Sequence, residues 1–153
     1  MNFFTYQTPV GKLSIACDGD YIVKVLLVET FDNVARKETP LMKEAYKQIM
    51  EYFEGKRKHF ELPLKPKGTP FQQAVWSALC QIPYGKTKSY KEIAKMIGNP
   101  KACRAVGMAN HRNPIMIIIP CHRVIGANGT LTGYAYGTEM KRQLLVLEKY
   151  DNF

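Results

Sequence analysis

The sequence predicts an α+β fold: a small N-terminal α/β domain with an antiparallel sheet, followed by a mainly helical domain containing a helix-turn-helix. Three observations predict it. Short β-branched runs divided by tight turns fill the first 28 residues. Helical periodicity dominates after residue 70. Between them Leu64-Lys65-Pro66-Lys67-Gly68-Thr69-Pro70 carries no periodicity and is punctuated by proline and glycine. The expected boundaries are therefore 1–64, a linker at 65–70, and 71–153. At 153 residues the chain can bury a core without disulfide staples.

In the first domain, residues 2–7 and 12–17 read as strands separated by Pro9-Val10-Gly11. A third strand, 21–28, follows the turn Asp18-Gly19-Asp20. Its almost wholly apolar run suits a strand covered on both faces. Pro40 opens a helix and Gly55 closes it, with Leu41, Ala45, Ile49, Tyr52 and Phe53 recurring at helical spacing. Phe60-Glu61-Leu62 reads as one further strand. Nothing in this domain reads as catalytic.

In the second domain, Phe71 to Ile82 predicts a helix ended by Pro83-Tyr84-Gly85. Ser89 caps a helix running through Ile97, with Ile93, Ala94 and Ile97 inward. Gly98-Asn99-Pro100 breaks the chain, and another helix runs from about Lys101 to Asn110. Helix, glycine-bearing turn, helix is the outline of a helix-turn-helix. Its second helix is nearly smooth: Ala102, Ala105, Gly107 and Ala109 surround the single long side chain of Arg104. That surface suits close approach to a narrow groove with the arginine entering the base stack, or else close helix packing.

The charge of +9 lies on one side of the chain. Residues 1–64 hold nine basic and nine acidic residues, whereas 65–153 hold thirteen and four. A one-sided basic segment points to a polyanion, most simply nucleic acid. The four cysteines form no C-x-x-C pair, which disfavours a zinc ribbon or disulfide framework and suits a reducing compartment. The start lacks the pattern of a signal peptide, and no run approaches the ~20 apolar residues of a membrane span. The expectation is a cytoplasmic monomer with no membrane partner.

Two features carry chemistry. Cys121 follows the apolar run Ile115–Ile119 and Pro120, and precedes His122 and Arg123. Positive charge or a paired imidazole favours a reactive thiolate there; otherwise Cys121 is a small buried hydrophobe. The last helix, about Thr138 to Tyr150, puts Met140, Leu144 and Leu147 on one stripe flanked by Leu145, at about 100° per residue. Glu148 falls inside that apolar arc and Lys141 on its edge. An inward carboxylate needs a receiver, and a histidine, a tyrosine or a lysine would serve; otherwise Glu148 reaches solvent at the helix end, paired with a neighbouring base.

Pro120-Cys121-His122-Arg123-Val124 resembles the signature of the O6-alkylguanine-DNA alkyltransferases (methylated-DNA–protein-cysteine methyltransferases). The resemblance continues through Ile82-Pro83-Tyr84-Gly85, Ser89-Tyr90, Gly98-Asn99-Pro100, Arg104-Ala105-Val106-Gly107, Asn113-Pro114 and Gly133-Tyr134-Ala135 to Glu148. It covers the chain in order from about Thr69. It implies a protein that binds double-stranded DNA through the minor groove and flips out an O6-alkylguanine. The alkyl group then passes irreversibly to Cys121, one per molecule, without cofactor or metal.

By the same resemblance, His122 takes the thiol proton through a water and Glu148 holds that histidine. Asn113 braces the active-site turn. Tyr90, Val124, Tyr134, Ala135 and Lys141 surround the base, and Cys121 contributes its carbonyl. Arg104 replaces the extruded nucleotide, with Tyr90, Ala102, Cys103, Ala105 and Arg123 completing the DNA-binding set. Tyr136-Gly137 stands where most relatives carry two glycines, so Tyr136 either narrows the pocket or stacks on a larger adduct. Met116 replaces a proline of some relatives, and the zinc set of vertebrate members is not evident. O4-alkylthymine is a further candidate substrate. A transfer-silent relative would lack Cys121, a helix-turn-helix regulator would offer more long polar side chains, and a cysteine hydrolase would have no use for the basic helices.

Overall fold

In the computed structural model, residues 1–131 and 133–148 are described. The chain forms two compact units, one of residues 1–67 and 114–118, the other of 68–113 and the residues from 119 onward.

The first unit is a four-stranded sheet with one helix. Strands β1 (Asn2–Thr8), β2 (Gly11–Asp18) and β3 (Tyr21–Leu26) are antiparallel neighbours, and β4 (Ala35–Arg36) runs parallel to β1, giving the order β3-β2-β1-β4. The β2–β3 register shifts at Ala16/Cys17. Leu13 and Ile15 are fully buried, while Ala16, on the opposite face, joins Phe3, Val23, Phe31 and Val34 in a cluster. Both faces are thus covered, as the apolar run of β3 requires. Helix α1 (Pro40–Phe53) starts at Thr39, whose side chain accepts from Met42 N–H, and buries Met42, Ala45, Gln48, Ile49 and Tyr52. Leu41 and Phe53 are only partly covered.

Phe60-Glu61-Leu62 is not a strand. The Gln48 amide takes both backbone groups of Glu61, accepting from its N–H at 2.9 Å and donating to its carbonyl at 3.3 Å. A buried side chain has replaced a sheet neighbour. The outer edge of β3 is instead occupied by two single bridges. Ile22 donates to Pro63 O and accepts from Lys65 N–H, each at 2.8 Å, while Val25 donates to Pro114 O and accepts from Met116 N–H. An otherwise open edge is thereby satisfied. Residues 114–118, which sequence alone groups with the second domain, belong to the first unit for this reason.

Just after that bridge Ile117 has φ +72°, and Ile118 N–H donates to Met116 O at 2.8 Å. This is a γ-turn at a buried β-branched residue, a strained conformation.

The second unit holds α2 (Pro70–Leu79), α3 (Tyr90–Met96), α4 (Cys103–His111) and α5 (Thr138–Leu147). A parallel pair, β5 (Lys88–Ser89) with β6 (Val124–Ile125), joins the start of α3 to the segment after Cys121. Local chemistry sets the helix starts. Thr69 with Gln72 and Ser89 with Glu92 form reciprocal capping boxes. Gly98, at φ +77°, lets the chain turn out of α3. Trp76 Nε1 donates to Ala109 O at 2.9 Å, tying α2 to α4. Helix α5 buries Lys141, Leu144 and Leu145, so its inward face is rotated from the predicted stripe; Met140 and Leu147 are only half covered. The predicted helix end at Tyr150 lies outside the described residues. Among the described residues no helix is long and apolar enough to cross a membrane.

Candidate active site

Pro120 brings the chain to Cys121 through a tight turn: Cys121 N–H donates to Ile119 O at 2.8 Å, with Pro120 at φ −81°, ψ 63°. Cys121, His122 and Arg123 then form one 3-10 turn, and all three are buried. Asn113 Nδ2 donates to Ile119 O at 2.8 Å, bracing this turn from the end of α4. Asn110 Nδ2 donates to the Cys121 carbonyl at 3.3 Å. Asn110 is a site residue that sequence reasoning missed. Its signal was a polar side chain in the inward row of α4, beside Val106 and Ala109.

Glu148 is 2% exposed, and four donors converge on its carboxylate. Oε2 receives His122 Nε2 at 2.7 Å and Arg123 Nη2 at 3.1 Å. Oε1 receives Arg123 Nε at 2.8 Å and Gly85 N–H at 3.2 Å. Arg123 Nη1 donates to Ile82 O at 2.7 Å. The receiver of the inward carboxylate is thus a histidine together with an arginine. Arg123, expected on the DNA-binding surface, is a buried clamp; with all its bonds directed inward it is unavailable to phosphate.

The charge states follow from this geometry. Burial pushes the Glu148 carboxyl up, but the hydrogen bonds and charges of His122 and Arg123 outweigh it and hold it at about 2. Burial, aided by the charges of Arg123 and Lys141, depresses His122 despite the pull of Glu148. An ionised carboxylate only accepts, so the neutral imidazole carries its proton on Nε2. Nδ1 is left as an acceptor with no hydrogen-bond partner among the described residues. Burial raises the Cys121 thiol to about 11, opposed by the Asn113 amide and the charge of Lys141. At rest, then, the thiol is protonated and a base stands beside it in sequence.

The other predicted residues divide into two groups. Lys141, fully buried, lies with Nζ 6.0 Å from the Tyr90 ring centroid, and burial lowers its ammonium to about 8. Tyr134 is buried and its hydroxyl has no hydrogen-bond partner among the described residues. Burial, with Cys121 and Tyr136 nearby, raises that phenol further. Tyr136 meets Tyr134 edge-on, with ring centroids 5.7 Å apart. Val124 is buried in β6, while Ala135 is exposed on the Tyr134 loop.

Tyr90 opens α3 and is positioned by two glycines. A Cβ on Gly133 (φ +73°) would lie 2.6 Å from Tyr90 Oη, and one on Gly107 would lie 3.9 Å from the ring. Tyr90, Gly133, Cys103, Arg104, Gly107, Met108 and His111 line an open groove of about 560 Å³. Arg104 and Ala105 are exposed, and Ala102 and Cys103 half-covered, along the same helix start.

Comparison with known proteins agrees over both units. Residues 70–150 match the 6-O-methylguanine DNA methyltransferase DNA binding domain, and residues 1–66 match the ribonuclease-like domain of the same family. The constitutive methylated-DNA–protein-cysteine methyltransferase of Bacillus subtilis is 52% identical, over 97% of this chain and 96% of that one. The methylated-DNA–protein-cysteine methyltransferase of Methanosarcina acetivorans is 49% identical, over 97% of this chain and 98% of that one. The crystal structure of Mycobacterium tuberculosis OGT in complex with DNA superposes with a TM-score of 0.92, at 47% identity, over 97% of this chain and 93% of that one. A match this long and this even across both units settles kinship: the chain belongs to the 6-O-methylguanine DNA methyltransferase family.

Proposed function

We propose that this protein repairs DNA by a single, irreversible transfer of an alkyl group from O6-alkylguanine in a duplex to Cys121. The observation that carries the proposal is the buried row Cys121–His122–Glu148–Arg123, in which Nδ1 is the one open acceptor of a fixed imidazole. The thiol proton passes to Nδ1, through a water in the manner of the family. The sulfur attacks the alkyl carbon, and the carbon–oxygen bond breaks with its electron pair going to the guanine. Tyr134, whose hydroxyl has no partner among the described residues and is too weak an acid to ionise, donates a hydrogen bond to O6 and improves the leaving group. The carbonyls of Val124 and, in competition with Asn110, Cys121 accept from the exocyclic amine, while Ala135 N–H lies toward O6. The ammonium of Lys141 favours the thiolate as it forms. The product is a thioether, which has no hydrolytic exit, so the molecule is spent.

In this reading α3 and α4 act as a helix-turn-helix on the minor groove. Arg104 fills the gap left by the flipped nucleotide and Tyr90 guides that nucleotide inward. A modified, poorly paired guanine is the cheapest base to extrude. Four free cysteines support a reducing, cytoplasmic setting, and the chain works as a monomer.

The test is to mix the protein with a duplex containing O6-methylguanine and weigh the intact protein. The expected result is a gain of one methyl on Cys121, stopping at one per molecule. Binding without a mass gain, or turnover beyond one equivalent, would overturn the proposal.

A further inference from the structure

Met108 is 55% exposed, the most exposed large hydrophobic side chain among the described residues. A lone exposed methionine is unremarkable in itself, but the position of this one is informative. Helix α4 buries Val106, Ala109 and Asn110. At about 100° per residue, Arg104 and His111 point away from that buried row, and Met108 lies only about 40° from Arg104. The apex of the helix therefore carries one arginine and one methionine a single turn apart. Both line the groove whose other walls include Tyr90, Gly107 and Gly133. Exposed cations flank this apolar strip at Lys101, Arg104 and Arg112. An apolar centre between cations complements the opened minor groove of a duplex, where sugars and base edges lie between two lines of phosphate.

We infer that Met108 is a second wedge on the duplex. Its thioether packs on deoxyribose and base edges next to the gap filled by Arg104, and so keeps the groove open while the damaged nucleotide is extrahelical. A flexible, polarisable side chain suits this task, because it conforms to whichever sequence surrounds the lesion. The inference rests on the reading of α4 as the DNA-contacting helix. It makes Met108 a positioning residue that touches the duplex and not the reacting atoms.

The experiment compares Met108→Ala and Met108→Leu with the parent in single-turnover transfer. One substrate is a duplex bearing O6-methylguanine beside 2-aminopurine; the other is free O6-benzylguanine. Losing the buried methylenes should slow Met108→Ala on the duplex by about fivefold to tenfold and reduce the 2-aminopurine signal of base extrusion. Met108→Leu should restore most of both, and the rate on the free base should not change. Parental behaviour of Met108→Ala on the duplex, or equal loss on both substrates, would overturn the inference. Should the parent transfer no alkyl group, the proposed function falls, and affinity for undamaged duplex still decides Met108. A weaker Met108→Ala supports the wedge, and an unchanged one overturns it.

Discussion

Among the described residues, Glu148 takes two donors on each oxygen. These bonds offset its desolvation, and a buried charge stripped of its partner typically costs about 3–5 kcal/mol. Arg123 therefore lets a carboxylate stand behind His122 without the histidine having to be charged. Replacing Glu148 by Gln puts an amide N–H₂ where an acceptor is needed, against either the guanidinium or the imidazole. Single-turnover transfer should fall by about a hundredfold, as for loss of a group supporting general base action. Duplex affinity measured by anisotropy should change little. An unchanged transfer rate would show that Glu148 serves packing alone.

At the scale of elements, the start of α3 matters most, because it sets Tyr90 between Gly107 and Gly133. Gly133→Ala would place a methyl 2.6 Å from Tyr90 Oη at a backbone φ of +73°. The backbone strain alone should cost about 1–2 kcal/mol, and the displaced ring should slow repair of duplex substrate. Adding Tyr90→Phe removes the atom in conflict. The double variant should therefore recover stability relative to Gly133→Ala by chemical denaturation, and strictly additive losses would refute the contact.

The helix starts were legible in the sequence because their causes are local: Thr39 before Pro40, Thr69 with Gln72, Ser89 with Glu92. The inward Glu148 was legible for the same reason, through helical spacing. The bonding of Glu61 to Gln48 and the bridges on β3 were not, since their partners come from distant parts of the chain. Arg123 was misjudged because a basic residue in a basic segment reads as surface. Only a carboxylate 25 positions away, one that needed neutralising, turned it inward.

At the scale of the whole molecule, the basic excess lies after residue 64, while the buried ion pairs tie part of the acid stability to the Glu148 carboxylate. Glu148 is lowered from 4.5 to about 2. Its contribution is therefore fully present above pH 4.5 and lost as pH falls through that interval. Denaturant midpoints at pH 5, 3.5 and 2 should converge between the parent and Glu148→Gln as the pH falls. A constant difference would mean that the carboxylate does not titrate with unfolding. The enclosed thiol has a further consequence for a molecule used only once. With burial raising its thiol to about 11, Cys121 stays protonated at neutral pH. Peroxide and stray electrophiles act through the thiolate, so between lesions they meet a nearly inert sulfur. The same burial that slows ionisation preserves shelf life, and the repair capacity of a cell becomes the number of such molecules still unspent when damage arrives.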